Sequence, residues 1–249
     1  MHFYVLSLFP EQVETFLKTS ITGRAQDKGL VTVEGLYIRD FATNDYGKID
    51  DTLYGGGTGL LMQCEPVFRA YNACKKKAEE QGRTKPYMVY MSPKGHVFNE
   101  QKAHELSKKE DLVILCGHYE GVDSRVIDEI CDEEISIGDY VLTGGETAAI
   151  VVIDAITRLI PGVLPNEEAY TNESHTAGLL EAPQYTKPAE WHGRKVPEVL
   201  MHGNDALIDD FNHISALLET WNKRPDMFDK LSLTEDEWEK LLKLKNSQQ

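Results

Sequence analysis

Three short runs of this chain, Tyr4–Phe9, Tyr87–Met91 and Leu112–Cys116, are apolar almost throughout, rich in β-branched and aromatic residues, and end in turn residues. A strand that alternates apolar and polar positions buries one face, whereas one that is apolar at nearly every position must be covered on both. Helical patterns occupy Glu11–Lys18, Pro66–Glu80, Glu100–Lys108 and Asp123–Cys131. Strands alternating with helices predict an α/β fold, with a mostly parallel sheet sandwiched between helices.

The segment Glu146–Ile160 carries the strongest helical pattern and is apolar nearly all round, as expected of a helix in a core or against a partner subunit. Gly144-Gly145 and Pro161-Gly162 punctuate its ends. From about Pro165 to Lys187 the chain has little periodicity and much polarity, and long connections of that kind are usually functional lids or disordered. Beyond it Asp205–Trp221 and Thr234–Leu244 read as helices, the second with Thr234 at its N-cap. The expected organisation is thus a domain over 1–161, a long loop over 162–187 and a small helical domain over 188–249.

Several classes are disfavoured. No stretch approaches the roughly 20 apolar residues that span a bilayer. The start, MHFYVLSLFPEQ, lacks a basic leader and a cleavage site, so it reads as a first strand rather than a signal peptide. Cys64, Cys74, Cys116 and Cys131 have no metal-ligand spacing, so the expected metal set is none, and scattered thiols suit a reducing cytoplasm. With 26 basic and 41 acidic side chains the net charge is −15, which advertises no polyanion-binding module.

Three strands end in glycine-containing turns: Met91–Gly95, Cys116–Gly121 and Ile137–Gly145. Ligands of open α/β sheets sit outside the carboxyl ends of the strands, and glycine lets backbone groups approach them closely. With Tyr119 and Tyr140 as walls and Glu120 as an ammonium partner, the turns describe a pocket for a cationic, aromatic-headed small molecule; ordinary loop chemistry is the alternative. Neither GxGxxG nor GxxxxGK[ST] is present, against a dinucleotide or P-loop site. The run Tyr54–Gly59 reads equally as a phosphate nest or as a surface loop.

The ordered motifs YGGGTG-LLM, SPKG, CGHYEGVDSR, ISIGDYVLTGGE, DAITRLIPGVL, GLLE-x-P-x-Y-T-x-P and RPDMF, in register from Leu8 to Phe228, resemble those of the TrmD family of bacterial tRNA (guanine-N1)-methyltransferases in the SPOUT superfamily. The resemblance implies a trefoil-knotted α/β domain with a helical tRNA-binding C-terminal domain, working as a cytoplasmic homodimer with its active site at the subunit interface. No periodicity shows a knot. It implies transfer of a methyl group from S-adenosylmethionine to N1 of the guanine 3′ of the tRNA anticodon, and an association with magnesium.

Carried over by motif, the donor site comprises Met91, Ser92 and Pro93, then Gly117, Tyr119 and Glu120, then Ile137, Gly138, Asp139, Tyr140, Val141, Leu142, Gly144 and Gly145. Substrate positions are Asp50, Gly55, Gly56, Gly57, Ser174 and Glu181. Arg158 matches a catalytic arginine. The family's base is an aspartate in an Asp-Ser-Phe triplet; here Glu173-Ser174-His175 stands there, making Glu173 the candidate base on a side chain longer by about 1.5 Å. Methylation at N1 requires loss of its proton, which a carboxylate accepts while a guanidinium near O6 steadies the developing charge. Tyr46-Gly47-Lys48, Asp210-Phe211-Asn212 and Trp221–Pro225 depart from basic positions with which the family holds tRNA. These departures keep open a divergent paralogue acting on another RNA or small molecule, or a donor-binding module without tRNA methylation.

Overall fold

The computed structural model describes residues 1–56, 58–165, 174–175 and 178–247. The chain divides into two units, Met1–Glu167 and Glu168–Gln249. The first opens with β1 (His2–Ser7), α1 (Pro10–Leu17), α2 (Ser20–Asp27), β2 (Thr32–Tyr37) and the hairpin of β3 (Asp50–Thr52) with β4 (Leu60–Met62). It continues through α3 (Cys64–Glu80), β5 (Tyr87–Val97), α4 (Glu100–Leu106), β6 (Asp111–Cys116), α5 (Ser124–Ile130), β7 (Glu133–Ser136) and α6 (Glu146–Thr157).

Five of these strands form one parallel sheet in the order β2-β1-β6-β5-β7. Successive side chains of a strand point to opposite faces, and both faces here are apolar. Tyr4, Leu6, Met88, Val113 and Leu115 join one core with Val67, Ala70 and Cys74 of α3 and Val126, Ile127 and Ile130 of α5. The alternate residues Phe3, Val5, Val89, Leu112 and Ile114 are fully buried. On that side α1 and α6 pack together, α6 touches β1 and β6, and α4 touches α6. Each such aliphatic side chain contributes about 1.5–3 kcal/mol by leaving water. The mostly parallel α/β sheet expected from the sequence is therefore present.

Three local details depart from the sequence reading. First, β5 does not stop at Met91. Its pairing with β7 shifts between Met91 and His96, both opposite Ile135, so Ser92–Gly95 form a bulge and the strand then resumes to Val97. Pro93 cannot donate to a ladder and suits such an interruption. Gly95 lets the chain rejoin, since a Cβ there would lie 2.4 Å from the Glu134 carbonyl and the Ile135 nitrogen. Second, α6 ends at Thr157, with Arg158 as its C-cap. Third, β2 and α2 are additional elements; β2 pairs with β1 but keeps only Leu36 buried, which weakens its apolar signal.

In the second unit β8 (Glu190–Trp191) pairs antiparallel with β9 (Arg194–Lys195), followed by α7 (Asp205–Lys223), α8 (Pro225–Phe228) and α9 (Glu235–Ser247). Ile214, Leu217, Leu218, Phe228 and Leu241 form its core. Trp221 stacks on Phe228 at 5.2 Å, with Trp238 edge-on at 5.7 Å. Thr234 and Glu237 close a reciprocal capping box before α9: the Glu237 carboxylate accepts from the Thr234 N–H at 2.7 Å, and the Glu237 N–H donates to the Thr234 hydroxyl at 3.2 Å. Among the described residues no helix is long and apolar enough to cross a membrane. Gly57, Glu173 and part of the 162–187 segment lie outside the described residues.

Candidate active site

In a parallel sheet all strands deliver their carboxyl ends to one edge, and ligands collect there. Because β6, β5 and β7 are neighbours, the turn after β6, the Ser92–Gly95 bulge and the loop after β7 meet. They enclose a cavity of about 310 Å³ in the first unit, at the small end of the roughly 300–1,000 Å³ typical of small-molecule sites. Of the residues expected from the three turns, all but Asp139 line it. Asp139 belongs to the same loop without reaching the wall. Lys94 and His118 of the same turns join the lining, as do Tyr90, Asp128 and Glu134, which lie outside the turn pattern.

The walls depend on unusual backbone. Tyr119 sits at φ 59°, a left-handed conformation uncommon for a bulky residue, and Gly121 and Gly138 follow at φ 111° and 146°. The loop after β7 lies directly on the turn after β6: the Gly145 N–H donates to the Gly117 carbonyl at 3.1 Å. A Cβ on Gly145 would fall 2.7 Å from Cys116 Cα. Tyr90 runs beneath the turn, its hydroxyl 2.8 Å from where a Cβ of Gly117 would be. Burial pushes the Tyr90 phenol up to about 12, with Glu134 adding to the effect, so it stays protonated near neutrality. Burial and the Glu146 charge raise the Cys116 thiol well above its ordinary value, leaving an inert core sulfur.

Behind the cavity sits a buried polar cluster. Glu146, the first residue of α6, is 4% exposed. Its Oε1 accepts from the Ser7 hydroxyl at the end of β1 and lies 2.7 Å from His118 Nε2. The Ser7 oxygen in turn accepts from the Phe9 N–H at 2.8 Å, and the Phe9 ring meets the His118 ring edge-on at 5.3 Å.

The β3–β4 hairpin brings part of the candidate substrate set to the same edge. Asp50 begins β3, and Gly55 and Gly56 lie in the hairpin loop at φ 86° and 80°. Strand β4 is laced to the turn after β6: the Glu120 N–H donates to Leu60, Met62 N–H to Gly121 and Asp123 N–H to Met62, each at 3.0 Å. The Glu120 side chain lies against Gly59, where a Cβ would fall 2.6 Å from its Cγ. The β3–β4 hairpin and a carboxylate on the cavity wall are thereby linked by backbone.

Other candidates sit elsewhere. Arg158 does not line the cavity; it caps the far end of α6, whose twelve residues put it about 18 Å along the helix from Glu146. In the second unit Ser174 and Glu181 are brought together, the Glu181 N–H donating to the Ser174 hydroxyl at 3.0 Å. Among the described residues no group of three or more His, Cys, Asp or Glu is placed to hold a metal ion.

The cavity therefore presents backbone donors and acceptors, two exposed tyrosine rings, and three carboxylates, Glu120, Asp128 and Glu134, against one ammonium, Lys94. That set suits a small molecule with a flat polar ring and net positive charge.

A family profile described as "tRNA (Guanine-1)-methyltransferase TrmD" matches residues 1–230. A curated protein of Ruminiclostridium cellulolyticum named tRNA (guanine-N(1)-)-methyltransferase is 53% identical over 231 residues, 93% of this chain and 97% of that protein. Proteins of the same name from Clostridium perfringens and Oceanobacillus iheyensis are 48% and 43% identical. They cover 98% and 95% of this chain and 100% and 95% of their own lengths.

Proposed function

Since the chain belongs to the tRNA (guanine-1)-methyltransferase TrmD family, we propose how its own residues carry out methylation of guanine N1 in tRNA, with S-adenosylmethionine as donor and the guanine 3′ of the anticodon as target. The observation that carries this reading is the meeting of the three motif-bearing turns, SPKG, CGHYEG and IGDYVLTGGE, around one cavity at adjacent strand ends.

The wall residues fit such a donor. Gly117, Ile137 and Leu142 on the wall would hold the donor, and the cavity's excess of carboxylates suits an ammonium and a sulfonium. When bound, S-adenosylmethionine supplies a methyl group already activated by its sulfonium. The protein's remaining work is alignment and control of a proton. Glu173 takes the proton from guanine N1 as the ring becomes nucleophilic. Arg158 offsets the negative charge that this places on O6. Asp50, the hairpin glycines, Ser174 and Glu181 are assigned to the substrate.

Arg158 lies about 15 Å along α6 from Ala148, which lines its own chain's cavity. That separation supports a homodimer in which one copy's Arg158 serves the other's donor site. We also assign the first unit the trefoil-knotted SPOUT topology, the second unit tRNA binding, and the protein a cytoplasmic location. Among the described residues no group of three or more His, Cys, Asp or Glu is placed to hold magnesium.

The test is transfer of labelled methyl from S-adenosylmethionine into unmodified tRNA transcripts. Label should enter transcripts with guanine 3′ of the anticodon and vanish when that guanine is replaced. Equal labelling of the replaced transcript would overturn the assignment of the target.

A further inference from the structure

The buried cluster of Ser7, His118 and Glu146 joins segments distant in sequence, with Ser7 and Glu146 separated by 139 positions. A buried carboxylate is costly unless its oxygens are satisfied, and apolar residues would fill the same space at no such cost. Here one oxygen of Glu146 receives both partners, the Ser7 hydroxyl and the His118 ring nitrogen at 2.7 Å. Its position at the first turn of α6 adds favourable alignment with the helix dipole. The cluster also touches two further segments. The His118 backbone N–H donates to Met62 Sδ of β4 at 3.3 Å. A Cβ on Gly144 would fall 2.5 Å from His118 Cε1 and 2.6 Å from Glu146 Oε2, so the loop after β7 rests on the pair. His118 and Gly144 both line the cavity, whereas Glu146 stands behind it.

We propose that Glu146 is a positioning residue: by accepting from Ser7 and His118 it fixes the turn after β6 against the Thr143–Gly145 loop and presets the donor's pocket. The proposal rests on the reading of the cavity as the donor site. Without Glu146, the His118 ring and the Ser7 hydroxyl lose their common acceptor, and the two walls drift relative to each other before the donor arrives. The donor must then order them, which weakens its binding while leaving the reaction of the filled site intact. A merely structural loss acts differently, removing folded enzyme and lowering kcat at unchanged KM.

The experiment uses the full chain as wild type, Ser7→Ala, Glu146→Ala and the double variant. S-adenosylhomocysteine is titrated calorimetrically, and methyl transfer is measured over donor and tRNA concentration. Losing a buried acceptor of two hydrogen bonds should raise the Kd and the donor KM about tenfold in Glu146→Ala, and losing one should raise them about threefold in Ser7→Ala. The double variant should bind no more weakly than Glu146→Ala, because both changes cut one network. The loss should appear in donor KM and not in tRNA KM. Unchanged donor Kd in Ser7→Ala and Glu146→Ala, additive losses in the double variant, or a fall in kcat at constant donor KM would each overturn the proposal. If Glu146→Ala does not fold, Ser7→Ala alone decides it by the same readouts. Failure of the wild type to bind S-adenosylhomocysteine would instead overturn the reading of the cavity itself.

Discussion

Gly145→Ala is a one-methyl perturbation of the cavity wall whose cost can be worked from the geometry. Gly145 has φ −80°, so alanine meets no backbone strain there, and the effect is purely steric. The added Cβ would sit 2.7 Å from Cys116 Cα and 3.1 Å from the Gly117 nitrogen, roughly 0.7 Å inside ordinary contact at the closer atom. Both are main-chain atoms of the turn after β6, so no side chain can rotate aside. The loop must lift by a similar amount, stretching the 3.1 Å Gly145–Gly117 hydrogen bond. Overpacking of this kind costs about 1–3 kcal/mol. If half of that is felt in the pocket, donor affinity falls about two- to twelvefold. Displacement near the reacting groups by about 1 Å can add up to a hundredfold loss of rate. The assay is calorimetric titration of S-adenosylhomocysteine alongside thermal unfolding. A Gly145→Ala protein with wild-type donor affinity would refute the argument that these two walls share one pocket.

Gly59→Ala should push Glu120 off the cavity wall, since a Cβ there meets its Cγ at 2.6 Å and the backbone sits at φ 132°; kcat/KM for methyl transfer should drop at least about tenfold, and an unchanged value would detach the hairpin from the site. Glu173→Ala should abolish methyl transfer to tRNA while leaving donor affinity intact, by the same titration and label assays; full activity would remove Glu173 from the mechanism. Thr234→Ala should destabilise the second unit by about 1 kcal/mol in denaturant unfolding through loss of the capping box. The Glu237 carboxyl is held down to about 2, first by the Thr234 N–H and then by His213, from an ordinary value of 4.5. A depressed carboxyl stabilises above its unfolded pKa, so this contribution is full above about pH 4.5 and disappears as pH falls toward 2. Unfolding followed across that window should show the loss in wild type and a smaller one in Thr234→Ala.

The sheet was legible because its strands are covered on both faces. Tyr87–Met91 and Leu112–Cys116 hold almost no polar residue, and β5 and β6 lie side by side at the sheet's centre. Strand β2 was not, since at the sheet's edge it alternates less clearly and is mostly half-exposed. The glycine turns pointed to the cavity because close backbone packing demands glycine wherever Gly117, Gly144 and Gly145 press on neighbours. The same signal could not tell a bulge from a strand end at Ser92–Gly95, as both place proline and glycine after apolar residues. Asp139 was carried along by its motif although its side chain does not reach the wall. The Ser7–Glu146–His118 cluster had no local signature at all. It exists only once the fold brings β1, the turn after β6 and the start of α6 together.

A crystal grown with S-adenosylhomocysteine tests the whole account most directly. The ligand should lie between the Ser92–Gly95 bulge, the Gly117–Gly121 turn and the Ile137–Gly145 loop, with its sulfur facing the β3–β4 hairpin. Density for the ligand at any other place, with those three segments bare, would contradict it.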